Sequence, residues 1–220
     1  MFNKANVKIF EEKGCVIVKN AVSKEIVDLL TQYTLFDEKV NFNPDKQVPG
    51  AHVKYSDLIM ESLLLKLQPV IEENTGKKVY PTYSFYRIYR PGDSLHPHKD
   101  RPSCELSITI SLGYDYKNSE KKWPIYVEGN AYILEPGDLV CYRGVDLEHW
   151  RDTLEVPEGS WHSQAFLHYV DSEGPYAEWK YDKRESLGLP TKIEKLPSIY
   201  EPDKMIKNNK NTKSYITYTN

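Results

Sequence analysis

The run Tyr89-Arg90-Pro91-Gly92-Asp93-Ser94-Leu95-His96-Pro97-His98-Lys99-Asp100 sets an imidazole and a carboxylate one residue apart behind a Pro-Gly turn. Residues at i and i+2 of an extended segment project to the same side, so His98 and Asp100 can face one ion. A third ligand has to come from elsewhere. Downstream, Pro136-Gly137-Asp138-Leu139-Val140-Cys141-Tyr142-Arg143 reads as a turn entering a buried strand, followed by Glu148-His149-Trp150-Arg151. His149 is the candidate. Two neutral imidazoles and one carboxylate hold a divalent ion on one face and leave three positions open, a ligand set that suits non-haem Fe(II) and redox chemistry.

A bare His-x-Asp pair carries little weight, since both residues are common on solvated loops. Its context carries more. The pair follows an aromatic strand, Tyr83 to Tyr89, and precedes an alternating one, Cys104 to Leu112. Upstream, Gly14-Cys15-Val16-Ile17-Val18-Lys19 is a short β-rich run, and Ser23 caps a helical pattern carrying Ile26, Val27, Leu29 and Leu30. Asn41 to Val53 reads as a polar loop that either covers a pocket or only connects. Ser56 or Asp57 caps a Leu-rich helix interrupted at Pro69 and ended near Gly76, a scaffold for a sheet. From Tyr80 to Val170 short strands alternate with turn residues and no helical period appears, which predicts a sandwich or small barrel.

The chain of 220 residues, 40% hydrophobic, predicts one domain with a sizeable core. That domain is expected over 1–179, its β core over about 80–171, with a polar tail of at most partial order over 180–220. A net charge of −3 and the lack of a basic stripe argue against nucleic acid and against an anionic membrane surface. Cys15, Cys104 and Cys141 are widely spaced inside apolar runs and read as core residues, which fits a reducing, cytoplasmic setting. Neither a signal-like leader nor a transmembrane-length run is expected, and no feature fixes an oligomeric state.

Tyr89-Arg90-Pro91-Gly92 and Pro97-His98-Lys99-Asp100 together resemble the recurring stretch of the 2-oxoglutarate and Fe(II)-dependent oxygenases, in their prolyl-4-hydroxylase-like branch. The resemblance covers roughly Gly14 to Asp171. It implies a mainly β fold with flanking helices around a double-stranded β-helix core of the jelly-roll or cupin-like kind. It also implies iron held by His98, Asp100 and His149, with Tyr89 hydrogen-bonded to 2-oxoglutarate. The reaction implied is hydroxylation of a C–H bond with dioxygen, on a prolyl or other amino-acid residue or on a small metabolite. A ligating Asp argues against the halogenating relatives, in which a small residue replaces the carboxylate.

One position departs from the family. Its members place an Arg or Lys about ten residues past the distal histidine to clamp the far carboxylate of 2-oxoglutarate, where this chain has Gly159 and Ser160. Ser160, His162 and Gln164 share one strand face, so His162 is one substitute donor, its charge then making binding weaken as pH rises through neutrality. Arg151, two residues past His149, is the competing cationic anchor. His96 reads as a mouth residue or bystander, His168 as structural and His52 as solvated. Arg87, Arg101 and Arg143 flank the site, and Trp123 and Trp150 are either pocket walls or core. The rival reading is a non-catalytic, cupin-like metal-binding module; nucleobase demethylation is disfavoured by the acidic balance.

Overall fold

The computed structural model describes residues 2–189. Ten strands and three helices follow the order α1 (Lys4–Lys13), β1 (Cys15–Val18), α2 (Lys24–Asn41), β2 (His52–Tyr55), α3 (Leu58–Thr75), β3 (Val79–Tyr89), β4 (Leu95–His98), β5 (Leu106–Asp115), β6 (Ile125–Val127), β7 (Asn130–Tyr132), β8 (Leu139–Arg143), β9 (His149–Arg151) and β10 (Trp161–Asp171). Short 3-10 turns lie at Pro102–Cys104 and Ala177–Lys183. The strands form a major sheet, β1-β8-β5-β10-β3-β2, and a minor sheet, β4-β9-β6-β7, antiparallel throughout. No helix among the described residues is long and apolar enough to cross a membrane.

The period-two pattern of β5 explains the layering. Leu106, Ile108, Ile110 and Leu112 join Leu30, Met60, Leu64, Leu67 and Ile71 of the helices in one core cluster. Ser107, Thr109 and Ser111 alternate with them and so face the other way, toward the minor sheet. On β3 the same alternation gives Tyr86 to the helices, while Tyr83, Phe85 and Tyr89 join Val48, Ala51, Leu95, Trp123 and Phe166 between the sheets. A polar and aromatic interior is thus built from strands whose outer face is aliphatic.

Several sequence expectations shift. Asp57, not Ser56, caps α3 through hydrogen bonds from Ile59 N and Met60 N. That helix runs through Pro69 without a break; the carbonyl that loses its partner belongs to Leu65, on the exposed side of the helix. The polar loop is shorter than expected because His52 and Val53 enter β2, and His52 is 1% exposed rather than solvated. Its Nδ1 accepts from Asn43 N at 3.0 Å and its Nε2 faces Asp37 Oδ2 at 3.1 Å. The helix α1 had no sequence expectation; Asn3 caps it and Phe10 buries it.

Residues 180–189 differ most. Composition assigns them to the tail, yet Asp182 and Arg184 are buried. Arg101 meets Asp182 through both carboxylate oxygens at 2.7 and 2.8 Å, and Arg184 pairs with Glu61 at 2.6 Å and donates to Thr82 O. Residues 190–220, the rest of the expected tail, lie outside the described residues.

Candidate metal centre and anion pocket

The site begins with a strand pairing. His98 at the end of β4 is the register partner of His149 at the start of β9, so two residues far apart in sequence present adjacent rings, centroids 4.3 Å apart. Asp100 follows β4 and is anchored by its backbone N–H to Gly144 O at 2.9 Å. Its Oδ1 stands 3.8 Å from His98 Nε2 and 3.6 Å from His149 Nε2. The three potential ligand atoms lie within 4.8 Å of one another.

The tautomers are set for ligation. His98 Nδ1 lies 2.8 Å from His96 O and His149 Nδ1 lies 3.0 Å from Leu147 O, so each Nδ1 carries the proton and donates it. Both Nε2 lone pairs then face the Asp100 carboxylate, and a backbone carbonyl fixes each ring. His96 itself is exposed and contributes only this carbonyl. Burial disfavours the charged form of His98 and, with His149 beside it, lowers its pKa. For His149, burial works the same way but Asp100 outweighs it and raises the pKa. Burial also opposes charge on Asp100, yet the histidines around it hold the carboxyl well below its usual range. Two imidazoles converging on an ionised carboxylate are a donor set that could hold a divalent cation from one side.

Gly144 lets the carboxylate sit there. A Cβ on residue 144 would fall 2.6 Å from Ser107 Oγ, and nearer still to Asp100 Oδ2 and Cys104 O. Only glycine permits that approach. Ser107 Oγ in turn donates to Asp100 Oδ2 at 2.5 Å.

Arg151 shares the inward face of β9 with His149 and is 2% exposed, deep in the molecule rather than at a surface ion pair. Its Nη1 donates to Trp123 O at 2.7 Å, its Nη2 to Gln164 Oε1 at 2.5 Å, and its guanidinium lies 4.3 Å from the Trp123 ring centroid. No carboxylate pairs with it among the described residues. Burial pushes its pKa down to about 10. Its Nε, Gln164 Nε2 and His162 Nε2 are buried without a hydrogen-bond partner, as is Ser160 Oγ. Such an uncompensated cation among orphaned donors costs several kcal/mol unless an anion completes it.

His162 lies beside Trp123 and takes a 2.7 Å hydrogen bond between its Nδ1 and Tyr116 Oη. Burial, then the nearby Arg151, holds its pKa well below the ordinary value. Burial and the neighbouring Arg151 thus favour the uncharged His162 ring, and of the two candidate clamps Arg151 is the one whose charge is retained. Tyr89 is fully buried, its ring edge-on to Trp123 at 4.9 Å, and its Oη accepts from Arg87 Nη1 at 2.8 Å. Arg87 forms a buried ion pair with Asp45 and donates to Gln47 Oε1, so the 42–51 loop is bolted over this wall. Arg101 is absorbed by Asp182, and Arg143 lies outside, over Phe10. Trp123 packs against Arg151, Tyr89 and His162; Trp150, half-exposed, stacks on Tyr126 at 5.1 Å.

Ser107 is the contributor that the sequence reading left without a role; it placed Gln164 only on the face of His162 and took His168 as structural. The alternation of Ser107, Thr109 and Ser111 inside an apolar strand was the available signal.

No family model matches the chain. Solved structures do match its fold. A prolyl-4-hydroxylase from Pseudomonas putida is 16% identical, with 74% of this chain and 97% of that one covered at a TM-score of 0.55. HygX from Streptomyces hygroscopicus, with nickel and 2-oxoglutarate bound, is 12% identical over 79% of this chain and 89% of that one, at 0.57. The epimerase SnoN in complex with Fe3+, alpha ketoglutarate and nogalamycin RO reaches 0.62 at 10% identity, over 77% and 83%. One curated sequence, the basic phospholipase A2 chain of sphenotoxin from Ophryacus sphenophrys, is 33% identical over 82 residues, 37% of this chain and 72% of that one. That stretch is shorter than the run from Val79 to Asp171 needed to join β3 to β10, so the architecture of the whole chain outweighs it. Two antiparallel sheets enclosing the polar interior, matched over three quarters of the chain, give this protein the double-stranded β-helix fold of the 2-oxoglutarate- and Fe(II)-dependent oxygenases.

Proposed function

We propose that the protein is a 2-oxoglutarate-dependent non-haem iron dioxygenase that hydroxylates a C–H bond. The observation that carries this reading is the pairing of an open-sided His98, Asp100, His149 site with a buried, uncompensated Arg151 on the same short strand. The donor set fits iron: two Nε2 atoms and one carboxylate oxygen are already turned to a common point. The pocket fits a dicarboxylate, because a metal and a cation two residues apart supply one partner for each end. Bound iron with 2-oxoglutarate and dioxygen would supply the two-electron oxidant that the protein itself lacks.

The chain's own residues do the rest. His98, Asp100 and His149 hold the cation from one side and leave the other open. Arg151 and Gln164 bind the far carboxylate, with the neutral His162 N–H as a further donor, Tyr116 Oη donating to its Nδ1 so that the proton sits on Nε2. Tyr89 and Trp123 wall the acid, and the Arg87–Asp45 pair with the 42–51 loop excludes water from that side. A small molecule or a peptidyl residue is the substrate class, in a cytoplasmic setting consistent with three buried free thiols. A purely structural, cupin-like metal module gives Arg151 no role and leaves its charge uncompensated, which argues against that alternative.

Anaerobic addition of Fe(II) and then 2-oxoglutarate tests the reading. A visible charge-transfer band followed by succinate formation in air is expected. Metal binding without any 2-oxoacid response would return the protein to the non-catalytic class.

A further inference from the structure

Asp100 has two oxygens, and they face different partners. Oδ1 meets His98 and His149, whereas Oδ2 accepts from Ser107 Oγ at 2.5 Å. Ser107 Oγ also lies 3.0 Å from His168 Nδ1. A hydroxyl has one proton, and the shorter, charge-assisted bond to the carboxylate takes it. Ser107 then accepts from His168 Nδ1–H, and the chain of donors runs from His168 through Ser107 to Asp100. His168 is 6% exposed and packs on Tyr83 with ring centroids 4.5 Å apart, so its ring is fixed. Gly144, lacking a Cβ, leaves the space that Oδ2 occupies beside Ser107; a Cβ there would collide with it.

We propose that Ser107 and His168 are positioning residues that confine Asp100 to a one-oxygen grip on the metal, an inference that rests on the metal-centre reading above. The reason lies in counting. Three ligand atoms leave three of six octahedral positions open, enough for both oxygens of a chelating 2-oxoacid and one more small molecule. A carboxylate that turned its second oxygen to the ion would leave two, and the 2-oxoacid would fill both. Turning Oδ2 means breaking a short buried hydrogen bond to an ionised group, and the His168 donor makes that bond stronger by polarising the hydroxyl. Cys104 completes a second compact group with Asp100 and His168. Its Sγ is 3.0 Å from Tyr83 Oη, and Ser107 bridges the carboxylate and the imidazole, so this group works as a hydrogen-bonded brace and not as a second cation site.

The test is anaerobic titration of the full-length protein with Co(II), reading affinity, stoichiometry and the visible spectrum, for wild type, S107A, H168F, the double variant and H168N. S107A and H168F should each bind Co(II) roughly 10- to 100-fold more weakly, the range seen for outer partners of metal ligands, and shift the spectrum as the coordination number changes. The double variant should be no weaker than S107A, because both act through one bond. H168N, whose amide N–H replaces Nδ1–H, should restore affinity and spectrum. Wild-type affinity and spectrum in S107A would overturn the inference, as would losses that multiply in the double variant. So would two ions per chain with the second lost in C104A. Should H168F fail to fold, S107A, which deletes one oxygen, decides alone. A wild-type protein that binds no Co(II) sinks the metal-centre reading itself, whereas tight wild-type binding with an indifferent S107A sinks only the brace.

Discussion

His98 and His149 are register partners across the β4–β9 ladder, and their ring centroids are 4.3 Å apart. The candidate metal site is therefore also a joint between two short strands. Loss of either ring, or of Asp100, removes one of three ligands and the geometry of the other two. H98A, D100A and H149A are each expected to weaken Fe(II) binding by more than about 100-fold, a larger loss than for outer partners. Equilibrium metal binding checks this, with circular dichroism to establish that the sheets persist; full occupancy in H149A would move the third ligand elsewhere.

Arg151 should dominate co-substrate affinity. Replacing it with Leu removes charged hydrogen bonds each contributing about 1.5–3 kcal/mol, or roughly 10- to 100-fold in the dissociation constant of 2-oxoglutarate, with iron binding retained. H162A and Y89F should each cost less, since each removes one neutral donor; Tyr89 Oη accepts from Arg87 Nη1 and keeps its own O–H to give. Calorimetric titration with Fe(II) or a redox-inert substitute ranks the three. An unaltered affinity in the Arg151 variant would leave the anion pocket without its purpose.

The pH profile separates the two clamps. The pKa of His162 lies well below its ordinary value, so the ring stays neutral and does not change charge as pH rises through neutrality. Arg151, lowered only to about 10, keeps its charge over the same window. 2-Oxoglutarate affinity of the metal-loaded protein is expected to be flat from about pH 6.5 to about pH 8.5, where an imidazolium clamp would lose strength steadily. A steady weakening with rising pH would hand the role back to His162.

G144A offers a sharper probe of the carboxylate. The added methyl would lie 2.6 Å from Ser107 Oγ and closer to Asp100 Oδ2, so the variant must displace one or the other. Overpacking of this kind costs about 1–3 kcal/mol in stability. Metal affinity should fall with it; a variant that melts lower yet binds metal normally would mean that the backbone at residue 144 yields instead.

Residues 180–189 are expected to contribute to folding. R184A leaves Glu61 buried without its cation and is expected to destabilise by about 3–5 kcal/mol, read from the urea midpoint. A chain ending at 179 should lose at least as much, and an unchanged midpoint in both would restore the boundary that composition drew.

The candidate metal ligands, which the fold does bring together, were legible because their logic is local. His-x-Asp on an extended segment needs only the period of a strand, and His149 followed from a second Pro-Gly turn. The candidate anion contacts were half legible: Arg151 and His162 stood out by parity, but their burial and the resulting charge states depend on Tyr116 and Trp123 arriving from the segment between β5 and β6 and, for Arg151, on Gln164 of β10. Ser107 and His168 were not legible together, since their contact depends on the register of β5 with β10, and β10 shifts register against β3 between Leu167 and Tyr169. Asp182 and Arg184 read as solvated charges until Arg101 and Glu61 supply their partners. His52 misled for the opposite reason, a polar neighbourhood in sequence that becomes a buried one when Asp37 approaches from α2.

Placing His149 and Arg151 two residues apart on one strand turns β9 into a ruler. Extended chain advances about 3.3 Å per residue, so the Cα atoms of ligand and anchor are spaced by roughly 6.6 Å whatever the rest of the barrel does. Neither can slide without the other, and a one-residue slip would turn both outward together. On the proposed function, the length of acid that the site would take is thus written into backbone pitch rather than into a flexible side chain, and adapting it to a longer or shorter diacid would require a new cation on a neighbouring strand.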